Sequence, residues 1–255
     1  MRVIILAAGQ GTRLRPLTDD KPKCMVELDN KPLIKYQLDL FEKFNTKDIN
    51  VVTGYLEEKI DFDGVRKFYN PKFDSTNMVS TLFCASELFD GEDDILISYG
   101  DIVYNDNVFN TIQESNEQIN VVVDKNWREY WEARMDDPLR DVETLKIDEN
   151  GNIKELGKKP NSYEDIEGQY IGLIKIRRDV VKQVKDYYEN LDKRALYDGK
   201  DYGNMYMTSF LQMIADNIMP LTPVYINSGW IEVDKPTDLN FGRFLQQQEM
   251  NFASI

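Results

Sequence analysis

Three cationic side chains, Arg13, Arg15 and Lys23, follow closely on Leu6, Ala7, Ala8, Gly9 and Gly11. The small residues leave backbone N–H groups uncovered. A bare backbone beside fixed positive charge outlines an anion site, and a polyphosphate is the first candidate. Chemistry on a polyphosphate calls for Mg²⁺, which prefers carboxylate and water oxygens. Asp101 is the leading carboxylate, because it stands just beyond the apolar run Ile95–Ser98. Ligands of open α/β sheets gather at such strand ends.

The rest of the composition narrows the choices. No histidine occurs anywhere in the chain. Ser-His-Asp and Cys-His catalysis are therefore excluded, as is any imidazole base. Cys24 and Cys84 are the only cysteines, too few for a zinc site without histidine. They read as reduced thiols. The formal net charge of −14 repels nucleic acid over most of the surface, so any anion site is a local cationic patch. No apolar run approaches the length that spans a bilayer, and Arg13 and Arg15 interrupt any leader-like pattern. The expectation is a cytoplasmic enzyme with neither membrane nor nucleic-acid partners.

The elements that must hold these groups alternate in the first half. Strands are predicted at 2–6, 49–53, 94–98 and 119–124, with helices at 31–44, 76–88 and 108–115 between them. That rhythm implies right-handed crossovers and a mainly parallel sheet. Later, segments 143–147 and 152–156 flank Asn150-Gly151, a strong hairpin signal. A strand at 169–176, helices at 178–189 and 207–215, and a strand at 223–226 complete the pattern. The expected fold is one α/β domain over 1–255, Rossmann-like, with antiparallel additions in the second half. Residues 1–124 form its first half and 125–240 its second.

Gly9-Gln10-Gly11 is only part of a dinucleotide fingerprint, since position 14 is leucine, and no G-K-[ST] follows. The longer run Leu6-Ala7-Ala8-Gly9-Gln10-Gly11-Thr12-Arg13-Leu14-Arg15-Pro16-Leu17-Thr18, closed by Pro22-Lys23, resembles the signature of nucleotidyltransferases that build activated sugars and alcohols. These enzymes have a GT-A-like fold. The resemblance implies a loop wrapped around an NTP, with Thr12 in the loop, Arg13 on the β- and γ-phosphates and Lys23 on the α-phosphate. It gives Asp101 to the metal, sets the preceding Tyr99 and Gly100 on the nucleotide, and makes residues 1–124 the nucleotide half and 125–240 the acceptor half. The segment Gly229–Leu239 resembles the family's closing stretch and offers Glu232 and Asp234 as second metal ligand. Alternate residues of a strand face one side, so both stay open. Asp238 reads as a cap for the helix that follows. Gly54 and Tyr55, with Asn77, are placed near the base; Asn77 can equally cap a helix.

"TNMVSTLFCA", "SYGDIVY", "ELGKKP" and "GQYIGLIKI" further resemble the cytidylyltransferases of phosphonates and phosphocholine, especially those acting on 2-aminoethylphosphonate; a related branch activates phosphoglutamine. The implied reaction transfers CMP from CTP to a small phosphonate or phosphoryl acceptor, with Mg²⁺ and release of pyrophosphate. Trp127, Tyr130 and Trp131, near Glu132, Asp136 and Asp137, can enclose a small cation, or form the apolar face of a helix. Lys159 resembles the lysine that grips the acceptor phosphate, and Gln169 joins the acceptor side. Two other readings stay open: a sugar-1-phosphate uridylyl- or thymidylyltransferase, and a nucleotide sensor without turnover. Pro220–Ile226 and a helix at Phe241–Met250 offer an edge for a homodimer.

Overall fold

The computed structural model describes residues 1–241. Its central sheet has seven strands: β1 (Arg2–Ala7), β2 (Asp48–Thr53), β3 (Val65–Tyr69), β4 (Ile95–Tyr99), β5 (Ile119–Asp124), β6 (Gln169–Ile176) and β7 (Thr222–Ile226). Their spatial order is β7-β5-β6-β4-β1-β2-β3. The apolar run of β1 is buried throughout, as a strand covered on both faces must be. It lies parallel to β2 and β4. Of the late strands, β6 runs against both neighbours, as the sequence suggests. β7 lies parallel to β5, which keeps the sheet mixed. Two helices, at 178–189 and 207–217, separate it from β6.

Helices cover both faces: α1 (Leu33–Lys43), α2 (Met78–Phe83), α3 (Asp106–Glu114), α4 (Trp127–Arg134), α5 (Arg178–Glu189) and α6 (Met207–Asn217). Alternation along β1 sends Val3 and Ile5 into one core with residues of α1, α3 and α4, and Ile4 and Leu6 into the other with α2, α5 and α6. The helix predicted over 76–88 stops at Phe83 and resumes as a short 3-10 turn at Ser86–Leu88. Val79 and Thr81 are β-branched, and the Thr81 hydroxyl bonds back to the Asn77 carbonyl at 3.2 Å, which weakens the helix there. Leu145–Ile147 and Ile153–Leu156 form the expected hairpin. The dimer-edge helix at Phe241–Met250 lies outside the described residues from 242 onward. Among the described residues no helix is long and apolar enough to cross a membrane.

Two features of this frame position the site. Ala7 stands opposite Thr53 and Leu6 opposite Tyr99, so β1, β2 and β4 end at one level and their loops meet there. Beyond the sheet, Ile102–Tyr104 pairs antiparallel with Trp230–Glu232, setting Ile102 opposite Glu232. This ribbon returns the Trp230–Glu232 segment to the mouth of the sheet.

Candidate active site

Where β1 ends, a cavity of about 260 Å³ is lined by Leu6, Ala7, Ala8, Gly9, Gly11, Thr12, Arg13 and Lys23, by Asn77 at the head of α2, and by Gly100 and Asp101. Gly11 adopts φ +63°, and a Cβ there would come within 2.9 Å of the Lys23 side chain. Only glycine lets the loop turn this tightly over the lysine. Gly100 is similarly restricted: its N–H donates to the Leu6 carbonyl at 2.9 Å, and a Cβ would stand 2.8 Å from that oxygen. Gly54 and Tyr55 lie behind the loop rather than on the cavity wall. The Tyr55 N–H donates to the Ala8 carbonyl and its hydroxyl to the Asp19 carbonyl, both at 3.1 Å. Asn77 caps α2 by accepting from the Met78 N–H at 2.8 Å, and it also faces the cavity.

Charge concentrates at one end of this cavity. Lys23 Nζ donates to Asp101 Oδ2 at 2.5 Å and also bonds Asp234, while Arg13 Nη2 lies 2.8 Å from Asp234 Oδ2. Burial works against the lysine's charge, yet Asp101, Asp234 and Glu232 outweigh it and hold the ammonium above its ordinary range. Burial, with Asp234 and Asp101 close by, pushes the Glu232 carboxyl upward. Burial also acts on Asp234, but Lys23 and Arg13 pull its carboxyl below the usual range. One oxygen each from Asp101, Glu232 and Asp234 lie within 4.8 Å of one another. The buried Asp101 Oδ1 has no hydrogen-bond partner. Crowded hard oxygens with a spare lone pair fit a divalent cation such as Mg²⁺.

Two positioning groups escaped the sequence reading. Gln37 of α1 is buried, and its Nε2 donates to the carbonyls of Tyr99 and Ile102 at 2.7 and 2.8 Å. It braces the turn that presents Asp101. Its signal was there: a glutamine on the apolar stripe of Leu33, Ile34, Leu38 and Phe41 has a buried polar task. The second group is Arg134, which lies over the rings of Tyr130 and Trp131 at 5.0 and 5.5 Å. The cation held by the aromatic cluster is thus the chain's own. Its position three and four residues after those rings was the available clue.

A second cavity of about 340 Å³ adjoins the first, the two sharing Arg13, Asn77, Met78 and Asp234. Tyr99, Trp131, Asp141, Glu143, Gln169, Tyr170, Thr208 and Glu232 are among its other walls. Tyr99 thus lines the second cavity and not the first, whereas Gly100 lines the first. Of the aromatic trio only Trp131 reaches the cavity, and its Nε1 donates to Asp141 Oδ2 at 3.1 Å. Trp127 and Tyr130 are buried in the core, Tyr130 accepting from the Glu232 N–H at 2.9 Å. Glu132, Asp136 and Asp137 are exposed, and Asp141 and Glu143 line the cavity instead, with Glu232 and Asp234. The Gln169 amide is taken up in pinning Glu143, donating to its carbonyl at 2.6 Å. Lys159 is exposed and lines neither cavity. The helix expected after Asp238 lies outside the described residues from 242 onward. Asp238 reaches back to the N–H groups of Asp234 and Lys235, at 2.8 Å each, at the start of the 3-10 helix Pro236–Phe241.

Comparison with known proteins agrees with this architecture. Residues 3–200 match the model of the MobA-like NTP transferase domain. A CTP:phosphoglutamine cytidylyltransferase of Campylobacter jejuni is 44% identical over 248 residues, spanning 94% of this chain and 98% of that enzyme. Among solved structures, the CTP:phosphocholine cytidylyltransferase of Streptococcus pneumoniae superposes with a TM-score of 0.68 at 22% identity, over 97% of this chain and 98% of that one. A putative glucose-1-phosphate thymidylyltransferase of Bacillus anthracis gives 0.74 at 21% identity, over 99% and 97%. At those identities the two structures speak for the fold alone.

Proposed function

The chain belongs to the MobA-like NTP transferase family, and from that premise we propose that it transfers CMP from CTP to a small, amine-bearing phosphoryl acceptor, releasing pyrophosphate. The observation that carries this reading is the meeting of two cavities at Arg13, Asn77, Met78 and Asp234. A triphosphate laid along the β1 loop brings its α-phosphorus to the junction, where an acceptor in the second cavity can reach it.

The reaction needs no general base, because the acceptor oxygen is already anionic. That oxygen bonds to the α-phosphorus as the bond to the β-phosphate oxygen breaks, and pyrophosphate leaves with the electron pair. Lys23 and Arg13 exchange their carboxylate partners for phosphate oxygens and offset the charge that grows there. Asp101, Glu232 and Asp234 would hold a divalent cation, which when bound supplies further neutralisation of the phosphates. The remaining contribution is orientation.

Asn77 supports a pyrimidine base. Its carbonyl oxygen is engaged by Met78, which leaves the amide NH₂ to donate to ring acceptors. Asp141 and Glu143 support an acceptor with an ammonium group at its far end. The 44% identical relative, named for phosphoglutamine, favours that compound over 2-aminoethylphosphonate or phosphocholine as the first acceptor to try.

The test is pyrophosphate release with Mg²⁺, crossing CTP, UTP, dTTP and GTP against phosphoglutamine, 2-aminoethylphosphonate, phosphocholine and glucose 1-phosphate. The proposal expects release with CTP and an amine-bearing acceptor only. Turnover of glucose 1-phosphate with UTP or dTTP would replace it with the sugar reading. Silence across the panel with CTP bound would favour a sensor.

A further inference from the structure

Arg134 lies at the end of α4 with its side chain only 3% exposed, and it lines neither cavity. Its charge is stacked on Tyr130 and Trp131 and spent on two carboxylates. Nη1 donates to Glu232 Oε2 at 3.4 Å, Nη2 to Asp238 Oδ2 at 3.2 Å, and Nε to Asp238 Oδ1 at 3.4 Å. Asp238 Oδ2 also accepts from the Asp234 N–H. The Tyr130 hydroxyl, one turn back on the same helix, holds the Glu232 N–H. One helix therefore grips the segment that carries both Glu232 and Asp234.

A buried guanidinium is costly, and its planar fork is the feature that a lysine cannot copy. Charge alone does not explain its placement, because a cation beside Glu232 repels a metal ion. The contribution left is geometric. We propose that Arg134 is a positioning residue: by bridging Glu232 and Asp238 it fixes Glu232 directly, and Asp234 through Asp238, in the arrangement that takes a divalent cation beside Asp101. This inference rests on the reading of Asp101, Glu232 and Asp234 as the metal cluster.

Mn²⁺ binding followed by electron paramagnetic resonance, with CTP present and no acceptor, tests it without turnover. The proteins compared are the wild type, Arg134→Lys, Arg134→Met and Asp101→Asn. Arg134→Met is expected to weaken Mn²⁺ about tenfold or more, the range for residues that orient metal ligands. Arg134→Lys should fall nearly as far, since one ammonium cannot fork between two carboxylates. In turnover assays, raising Mn²⁺ should restore most of kcat in both. Mn²⁺ affinity within about twofold of wild type in folded Arg134 variants, while Asp101→Asn loses the ion, would overturn the positioning role alone. Unchanged Mn²⁺ affinity in Asp101→Asn would overturn the cluster itself and this inference with it. Should Arg134→Met fail to fold, Arg134→Lys and the nearly isosteric Asp238→Asn carry the test, with the same loss expected.

Discussion

The two cavities meet at one charged cluster but are built in opposite ways. The first draws nearly half of its lining residues from a single contiguous loop, Leu6 to Lys23, whose small residues leave backbone uncovered beside two cations. The second is gathered from scattered segments: α4, the turn at Asp141, β6, α6 and the Trp230–Asp234 segment. Backbone presents the same donors to any triphosphate, so the first cavity is suited to the chemistry all such reactions share. Side chains from scattered segments can change one at a time, so the second is suited to choosing the acceptor. The contrast predicts where a substitution should alter rate and where it should alter only selectivity.

The largest effects belong to the shared cluster. Lys23→Ala and Asp101→Asn should each lower kcat by at least about 10²-fold, the scale for losing one preorganised group facing developing charge. Pyrophosphate release measures this, with circular dichroism confirming the fold. Rates near wild type would remove both residues from the chemistry. Next comes Gly11→Ala, which forces a Cβ into a left-handed backbone 2.9 Å from Lys23. It should weaken CTP binding about tenfold, since that strain is worth roughly 1–2 kcal/mol. Calorimetric titration with CTP gives the number.

Smaller and more selective is the pair Asp141→Asn and Glu143→Gln. Each should raise KM for an amine-bearing acceptor about tenfold, as lost charged hydrogen bonds do, and leave KM for CTP in place. A matching rise in both constants would erase the distinction between the cavities. The smallest effect is expected at Lys159, which sequence resemblance placed on the acceptor phosphate. It is exposed and apart from both cavities, so Lys159→Ala should change kcat/KM by less than about twofold. A large loss would put it back in the site.

The same contrast explains how much of the molecule the sequence discloses. β1, β5, β6 and α5 are legible because each is a strongly patterned run with clear ends. β3 is not. It is an edge strand whose Arg66, Lys67 and Tyr69 are exposed, and Val65 and Phe68 fall three apart, which hides the alternation. In the site, the β1 loop could be read because its residues are adjacent in the chain. Glu232 and Asp234 could be proposed, but their approach to Asp101 depends on the Ile102–Glu232 register and on the Val233 N–H donating to the Asp101 carbonyl at 3.0 Å. Long-range pairing of that kind leaves no local mark. The aromatic cluster shows the limit most clearly. Its residue types suit an external amine, and only the fold reveals that α4 turns Tyr130 and Trp131 onto Arg134.

The central claim is that both cavities serve one phosphorus in one displacement. It is tested most directly by the stereochemical course at the α-phosphorus, using CTP with one non-bridging α-oxygen replaced by sulfur in a single configuration at phosphorus, and the acceptor identified in the panel. A single in-line attack across the junction inverts that centre, and inversion is the predicted result. Retention would require two displacements through a covalent enzyme intermediate, for which the cluster of Arg13, Lys23, Asp101, Glu232 and Asp234 has been given no role, and would contradict the account.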